Sequence, residues 1–479
     1  MYLGLDLGTS GLKALLIDGD QKPVASATAH LDVQRPHPGW SEQRAGDWIT
    51  ACEAALGELA AEHDLSGVRG IGLSGQMHGA TMLDASDTPI GPCILWNDTR
   101  AFEEAAALDA DPRFRAITGN IVFPGFTAPK LVWLRNNDPE AFKRVAKVLL
   151  PKDYLRLWLT GEAVSEMSDA AGTSWLDTGA RDWSDALLAA TDLSLDHMPR
   201  LVEGSDASGG LRAEIATKFG LKPGTPVAGG AGDNAASAVG MGVIGAGQAF
   251  VSLGTSGVLF TASDGYAPDP DTALHTFCHA LPGKWHQMGV ILAAADALSW
   301  YARLVGEGAD KLTGRLGELQ APGRALFLPY LGGERTPHND AKVRGAFIGL
   351  QHETDRDAGT RAVLEAVAFA IRDSFEAMKA TGTAPDSLYA VGGGARSDYW
   401  LSVIATAIGR PIVLPADGDF GAAFGAARLG LMASGDGGPE IATPPAAARS
   451  FEPVAELSAA FDDAYARYRE TYRALKNLS

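Results

Sequence analysis

Cysteine is scarce: Cys52, Cys93 and Cys278 are the only three in 479 residues, scattered along the chain and odd in number. That excludes a disulfide framework and a cysteine-type zinc site, and points to reduced thiols in a cytoplasmic compartment. Long apolar runs are missing too. No stretch approaches the ~18 apolar residues of a membrane span, and a strand pattern begins at Tyr2 with no basic segment before it, so no anchor and no signal peptide are predicted. Positive charge is the third shortage, with 40 Lys and Arg against 58 Asp and Glu for a net charge of −18. This argues against nucleic acid and anionic membranes as partners. A nucleotide substrate is not excluded, because local donors act at short range while salt screens the distant field within about 10 Å. The phosphate-binding signature GxxxxGK[ST] is absent as well. What is present, 46% apolar and 20% charged residues, is the composition of a soluble globular enzyme long enough for two or three domains.

One pentapeptide occurs twice, as Leu7-Gly8-Thr9-Ser10-Gly11 and Leu253-Gly254-Thr255-Ser256-Gly257, about half a chain apart. Each copy sits between two β-type runs and is predicted to be a glycine-turned hairpin. Glycines let backbone N–H groups approach an anion, and the Thr and Ser hydroxyls add donors. Taken singly, each copy is an ordinary turn; as an identical pair, they suit the β- and γ-phosphates of a nucleotide held from two sides. The copies differ just before the loop, where Asp6 of the first is matched by Ser252 of the second. A single carboxylate on one side of a phosphate cleft suits Mg²⁺, held directly or through water, which takes one or two acids plus waters and phosphate oxygens. Lys13, matched by Leu259, is either a further charge near phosphate or a solvated strand lysine.

Further polar clusters stand where strands are predicted to end. An apolar run over 68–74 meets Gly75-Gln76-Met77-His78-Gly79, at the strand end where open α/β sheets bind ligands. Trp96-Asn97-Asp98-Thr99-Arg100 combines an aromatic ring with planar polar groups, which suits a sugar; an Asn-Asp turn with an Asp98–Arg100 ion pair is the equal alternative. Segments opening at Pro129 and Pro151 are predicted as scaffold helices. Residues 226–234 are predicted as a strand running into a glycine turn, with Asp233-Asn234 at the start of a small-residue helix, where Asp233 is either an N-cap or a general base. His275 and His279 are four apart but lie in an alternating, strand-like stretch with no acid between them, which disfavours a metal site. Gly392-Gly393-Gly394-Ala395 follows a strand and offers a flat backbone surface for a purine. Residues 361–380 are predicted as a long helix, 418–430 as a glycine turn and Ala-rich helix, and 435–448 as a linker. Leu457, Phe461, Tyr465, Tyr468, Tyr472 and Leu475 form a helical docking stripe.

Together these segments resemble the FGGY family of sugar kinases over nearly the whole chain. The resemblance rests on YLGLDLGTSGLK, GQMHGATMLD, ILWNDTR, GFTAPKLVWL, LLPKDYLRL, SDAAGTSWLD, AGDNAASAVG, SLGTSGV, FLPYLGGERTPHN, GGGARSDYW and GDFGAAFGAARLG, and is nearest to the kinases of ketoses. It implies a duplicated α/β fold of the actin/hexokinase type (ribonuclease H-like), with an ATP cleft between lobes 1–243 (sugar and Mg-phosphate) and 244–434 (adenosine), followed by a linker and docking helix at 435–479. It implies Met77 and His78 as sugar contacts, joined here by Gln76, Trp96, Asn97, Asp98 and Asn234. Asp233 becomes the catalytic base, and Asp6 assists the Mg-nucleotide beside it. Gly8, Thr9, Ser10, Lys13, Gly254, Thr255 and Ser256 would face phosphate, and Gly392 to Ala395 adenosine. ATP, Mg²⁺ and a small sugar are the expected ligands; the size of the chain also leaves surface for a homodimer, with no stretch marking the interface. Kinases of glycerol, gluconate or ribulose, and a non-catalytic actin-like nucleotide binder, are the competing readings. One departure is Ala358-Gly359, where the family has a polar residue and then an apolar one; it opens a supporting helix and bears on packing more than on chemistry.

Overall fold

In the computed structural model, which describes residues 1–416 and 421–478, two seven-stranded sheets share one design. In the first, β1 (Tyr2–Leu7), β2 (Gly11–Ile17) and β3 (Pro23–His30) form an antiparallel meander. Helix α1 (Ala45–Glu62) buries Trp48, Cys52, Ala55, Leu56 and Leu59, the apolar positions at helical spacing. The chain returns as β4 (Gly70–Gly75), parallel to β1 and buried along its whole length, as a central strand must be. After α2 (Thr127–Asn137), α3 (Pro151–Thr160) and an edge strand β5 (Ala207–Gly210), β6 (Pro226–Ala228) and the short β7 (Ala231–Gly232) both pair parallel to β4. Helix α4 (Asp233–Gly240) follows at once.

The second half repeats this path. Its meander is β8 (Ala249–Leu253), β9 (Gly257–Ser263), with β10 (His275–Cys278) as an added edge, and β11 (Trp285–Ile291). Helices α5 (Ala295–Val305) and α6 (Arg356–Ala380) precede β12 (Leu388–Val391), which pairs parallel to β8. Helix α7 (Asp398–Ile408) then leads to β13 (Ile412–Pro415), parallel to β12. In both sheets the third, second and first strands of the meander lie side by side, followed by two strands parallel to the first. This is the duplicated actin/hexokinase-type fold, and it puts each LGTSG loop at the same corner of its sheet.

Helix α8 (Ala422–Ala433) crosses between the halves: it follows β13 in the chain but packs on β1 and β4 of the first sheet and on α4. Backbone meets backbone there. A Cβ on Gly72 would stand 1.7 Å from the Ala426 carbonyl oxygen, and one on Gly425 would stand 1.8 Å from that of Ala236. Only glycine permits such an approach, which explains the small-residue composition on both sides. Residues 417–420 of the expected glycine turn lie outside the described residues.

Helix α6 begins five residues before the expected position, with Asp355 accepting from the Ala358 N–H at 2.8 Å as its N-cap. Gly359 has a local reason: a Cβ there would stand 2.0 Å from the hydroxyl of Tyr301, which donates to the Arg356 carbonyl. The departure from the family pattern is thus matched by a large residue opposite. The expected linker also does more than connect, because β14 (Ala447–Phe451) within and beyond it closes the second sheet on β13. Helix α9 (Ser458–Leu475) buries Phe461, Tyr465 and Tyr468 in the second core, and the Tyr465 hydroxyl donates to Asp373 at 2.6 Å. No described helix is long and apolar enough to cross a membrane.

Candidate active site

Three neighbouring strands of the first sheet deliver the acids. Asp6 is near the end of β1, and Ser74, level with it on β4, donates to its Oδ1 at 2.5 Å. Lys13 on β2 is directly opposite Asp6 in the antiparallel register, so their side chains share one face. Asp233 begins α4 just after β7, whose Gly232 is level with Gly75 on β4. Its Oδ1 accepts from both the backbone and side-chain nitrogens of Asn234, at 2.7 and 3.0 Å. The same oxygen takes both bonds, so Oδ2 is left as the basic atom. Burial, then the charge of Asp6, push the Asp233 carboxyl up to about 6 against those two bonds. A carboxylate with that affinity is still ionised at neutral pH and basic enough to take a proton.

The segment behind Asp233 is braced by buried charge. Arg156 on α3 donates to the carbonyls of Ala228 and Gly229 at 2.5 Å each, and the Gly232 N–H donates to the Ser168 hydroxyl at 3.1 Å. Lys152 pairs with Asp153 and Asp169 at 2.7 and 2.9 Å. The α3 segment is therefore scaffold, as expected from its sequence, but scaffold for the strand that leads to Asp233.

His78 follows β4 in a left-handed conformation, φ 68°, strained for a residue with a side chain. Its carbonyl is fixed by Lys130 and Thr127 at 2.8 and 3.1 Å. Burial holds the ring neutral, its affinity pulled down to about 3, and Nδ1 donates to the Gly172 carbonyl at 2.7 Å. Nε2 is then an acceptor for a hydroxyl. The ring stacks on Phe126 at 4.4 Å, and Met77 packs beside it against Gly172 and Gly232. Asn97 keeps a buried Oδ1 without a partner.

Three expected sugar contacts have other partners. Asp98 is buried and accepts from the Ser41 N–H at 2.6 Å and from Arg100, which also pairs with Glu42 and lies 3.6 Å over the Trp40 ring. The ion-pair alternative therefore holds for Asp98, whose carboxylate has no face left for a ligand. Gln76 is buried too: Oε1 accepts from the Thr9 hydroxyl at 3.0 Å and Nε2 donates to Gln43 at 2.9 Å. It braces the first LGTSG loop. Trp96 joins that brace, donating from Nε1 to Thr9 Oγ1 at 3.0 Å with its ring half exposed.

In the first loop the Gly8 N–H closes the turn on the Gly11 carbonyl at 3.0 Å, and Ser10 is exposed. In the second loop Thr255 and Ser256 are exposed, while the carbonyls of Gly254 and Thr255 accept from Ala295 and Ala294 at the start of α5. Gly392 has φ 91°, and it and Gly394 press on Leu253 so closely that a Cβ would stand 2.8 Å away. Gly393 has open space beside it. Next to this shelf is a cavity of about 700 Å³ lined by Gly392, Ala395, Arg396, Ser237, Phe250 and Arg449 among others, large enough for a nucleoside. Arg449 comes from β14, Ser237 from α4 and Arg396 from the turn before α7. Nothing in their local sequence marks them as neighbours.

A buried carboxylate of raised proton affinity at a strand end, an acid beside one of two matched glycine loops, and a nucleoside-sized cavity against a glycine shelf suit a nucleotide-dependent phosphotransferase. The family is narrower: this chain belongs to the FGGY family of carbohydrate kinases, whose N-terminal domain matches residues 1–240 and whose C-terminal domain matches 249–434. A xylulose kinase from Escherichia coli (strain K12) is 49% identical over 91% of this chain and 90% of its own length. One from Klebsiella pneumoniae is equally similar, 49% over 91% and 90%. A solved xyloylose kinase from Brucella ovis is 64% identical, covers 100% of both chains and superposes with a TM-score of 0.98.

Proposed function

We propose that the chain phosphorylates D-xylulose at its terminal C5 hydroxyl, using ATP and releasing D-xylulose 5-phosphate and ADP. The observation that carries the chemistry is Asp233, held at a helix start beside Asp6 with one carboxylate oxygen open. The preference for D-xylulose rests on the similarity to xylulose kinases along nine-tenths of the chain.

In this reading ATP bridges the lobes, with phosphates on the two LGTSG loops and adenosine on the 392–395 shelf and its cavity. The sugar lies against Met77, His78 and Asn234. Asp233 Oδ2 takes the C5 hydroxyl proton as that oxygen forms its bond to the γ-phosphorus, and the bond from phosphorus to the β,γ-bridging oxygen breaks, leaving ADP. Asp6 and Asp233 fit a divalent cation, because each is a like charge that a cation beside them would relieve; Mg²⁺ held there would neutralise charge on the phosphates. Closure of residues 1–243 on 244–434 keeps water from competing as acceptor, with α8 packed on the first sheet to join them. A cytoplasmic setting goes with this reading, supported by three buried thiols.

The deciding measurement is ADP release from ATP-Mg²⁺ with D-xylulose, D-ribulose, L-ribulose, glycerol or gluconate, each against a blank without sugar. The expected result is a rate well above blank with D-xylulose and little with the others. Preference for another acceptor overturns the substrate while leaving the kinase, and no stimulation by any acceptor overturns both.

A further inference from the structure

The turn at 334–336 belongs to the second lobe, yet one of its side chains reaches the sugar side. The turn is bolted to β11: Thr336 exchanges bonds with Val290 at 3.0 Å each way, its N–H donating to the carbonyl and its Oγ1 accepting from the N–H. Its hydroxyl also donates to the Ala273 carbonyl at 3.1 Å. Glu334 Oε1 accepts from the backbone N–H groups of Leu292 and Arg335, at 2.9 and 2.8 Å. Two residues past Leu292, the Ala294 N–H donates to the Thr255 carbonyl of the second phosphate loop. The backbone carrying Arg335 is therefore fixed to the same elements that hold that loop.

The Arg335 guanidinium lies 4.6 Å over the ring of Phe123, and Nη1 is 3.4 Å from Nε2 of the buried His275. Phe123 packs edge-on to Phe126 at 5.6 Å, and Phe126 carries the stacked ring of His78. His275 closes the group, 5.3 Å from Phe123 and 5.8 Å from Phe126. A guanidinium has five N–H donors in a rigid fork. Among the described residues, one aromatic face and one long bond to an imidazole are its direct partners; the Glu334 carboxylate acts on it electrostatically, but no carboxylate stands in ion-pair contact with it. A partly buried cation in that position is short of acceptors, and a polyhydroxy ketone lying against His78 carries several.

We propose that Arg335 is the second lobe's contact to the acceptor sugar, donating from its fork to the hydroxyl or carbonyl oxygens of a ketose seated on the His78–Phe126–Phe123 wall. This rests on the ketose kinase reading above. Sugar bound in the first lobe then draws the second lobe's turn, and with it the second phosphate loop, toward the acceptor.

The test compares wild-type, Arg335→Lys and Arg335→Met protein with D-xylulose, measuring KM for sugar, KM for ATP and kcat, together with the rise in Tm on adding sugar or ADP. The loss of charge-assisted hydrogen bonds predicts a sugar KM raised about tenfold or more in Arg335→Met, with ATP KM changed less than about twofold. Arg335→Lys, which keeps the charge but not the fork, should fall between. The Tm rise with sugar should shrink in Arg335→Met while the rise with ADP persists. A sugar KM within about twofold of wild type, or equal loss of both Tm shifts, overturns the proposal and leaves Arg335 as a packing residue on Phe123. If wild type prefers another sugar, the same comparison with that sugar decides on Arg335 separately from the substrate; if it takes none, both readings fall.

Discussion

The two LGTSG loops have the same five residues and are held in different ways. The first is gripped by side chains, with Gln76 and Trp96 on the Thr9 hydroxyl and Gln43 Nε2 on its carbonyl at 2.7 Å. The second is held through its backbone by the first turn of α5, with both hydroxyls exposed. The first also follows a carboxylate where the second follows Ser252. Duplication supplied one geometry twice, and the surroundings made one copy a fixed, acid-bearing site and the other a plain set of donors at a helix start. In the proposed mechanism, chemistry then belongs to the first half and phosphate positioning is shared.

The largest break in that asymmetry should come from the base. Asp233→Ala is expected to lower kcat by about 10²- to 10⁴-fold while ADP still raises Tm. Near-normal turnover by coupled ADP assay would remove Asp233 from the mechanism. Next comes the acid before the loop. Asp6→Ser makes the first copy like the second and should raise the Mg²⁺ concentration needed for half-maximal rate by about 10- to 100-fold. Ser252→Ala, the matching change in the other copy, should leave that titration where it is; equal effects would mean that the two halves hold the metal alike.

A third effect is read from pH. Asp233 is raised to about 6 by burial and by Asp6 while no cation is bound beside it, so kcat/KM for the sugar should fall at a pH of about 6 or below, where the base is protonated. Asp6→Asn removes the like charge and should move that limb lower, measured on the residual activity or by NMR titration of the Asp233 carboxyl. The same shift has a stability sign. Between about 4, the ordinary carboxylate value, and 6, the folded chain binds a proton that the unfolded chain does not. Stability from this group therefore falls as pH rises through that window, and its charge costs stability above it. Asp233→Asn should raise Tm at pH 7 and lose that advantage at pH 4.

Much of this architecture is legible from sequence because it was written twice. The repeat predicts matched hairpins, and the mismatch of Asp6 with Ser252 predicts where the acid lies. The glycine shelf at 392–395, expected to face adenosine, follows from a strand running into three glycines. What sequence does not carry is orientation. Asp98 and His78 both stand in polar clusters at the ends of β-type segments, yet Asp98 is closed off by Arg100 and Ser41 while His78 keeps an acceptor. The cavity walls at Ser237, Arg396 and Arg449 come from separate elements that only the tertiary fold brings together. The crossing of α8 is legible only afterwards, once the glycines of β1 and β4 are seen against its backbone.

The smallest expected effect is the most direct test of how the two loops differ. Gln76 is buried, and Thr9 and Gln43 already hold the two ends of its amide. If its work is to fix the first loop, Gln76→Ala frees the Thr9 side chain and loosens the turn over the phosphates. The two lost hydrogen bonds, to Thr9 and to Gln43, and the partners they leave unsatisfied predict a rise in ATP KM of about tenfold, with sugar KM little changed. Thr255→Ala in the second loop removes only an exposed hydroxyl and leaves the backbone bonds to Ala294 and Ala295 intact, so its ATP KM should rise by no more than about threefold. A larger loss from Thr255 than from Gln76 would reverse the assignment: the second loop would then grip phosphate through its side chains, and the network around Thr9 would be packing alone.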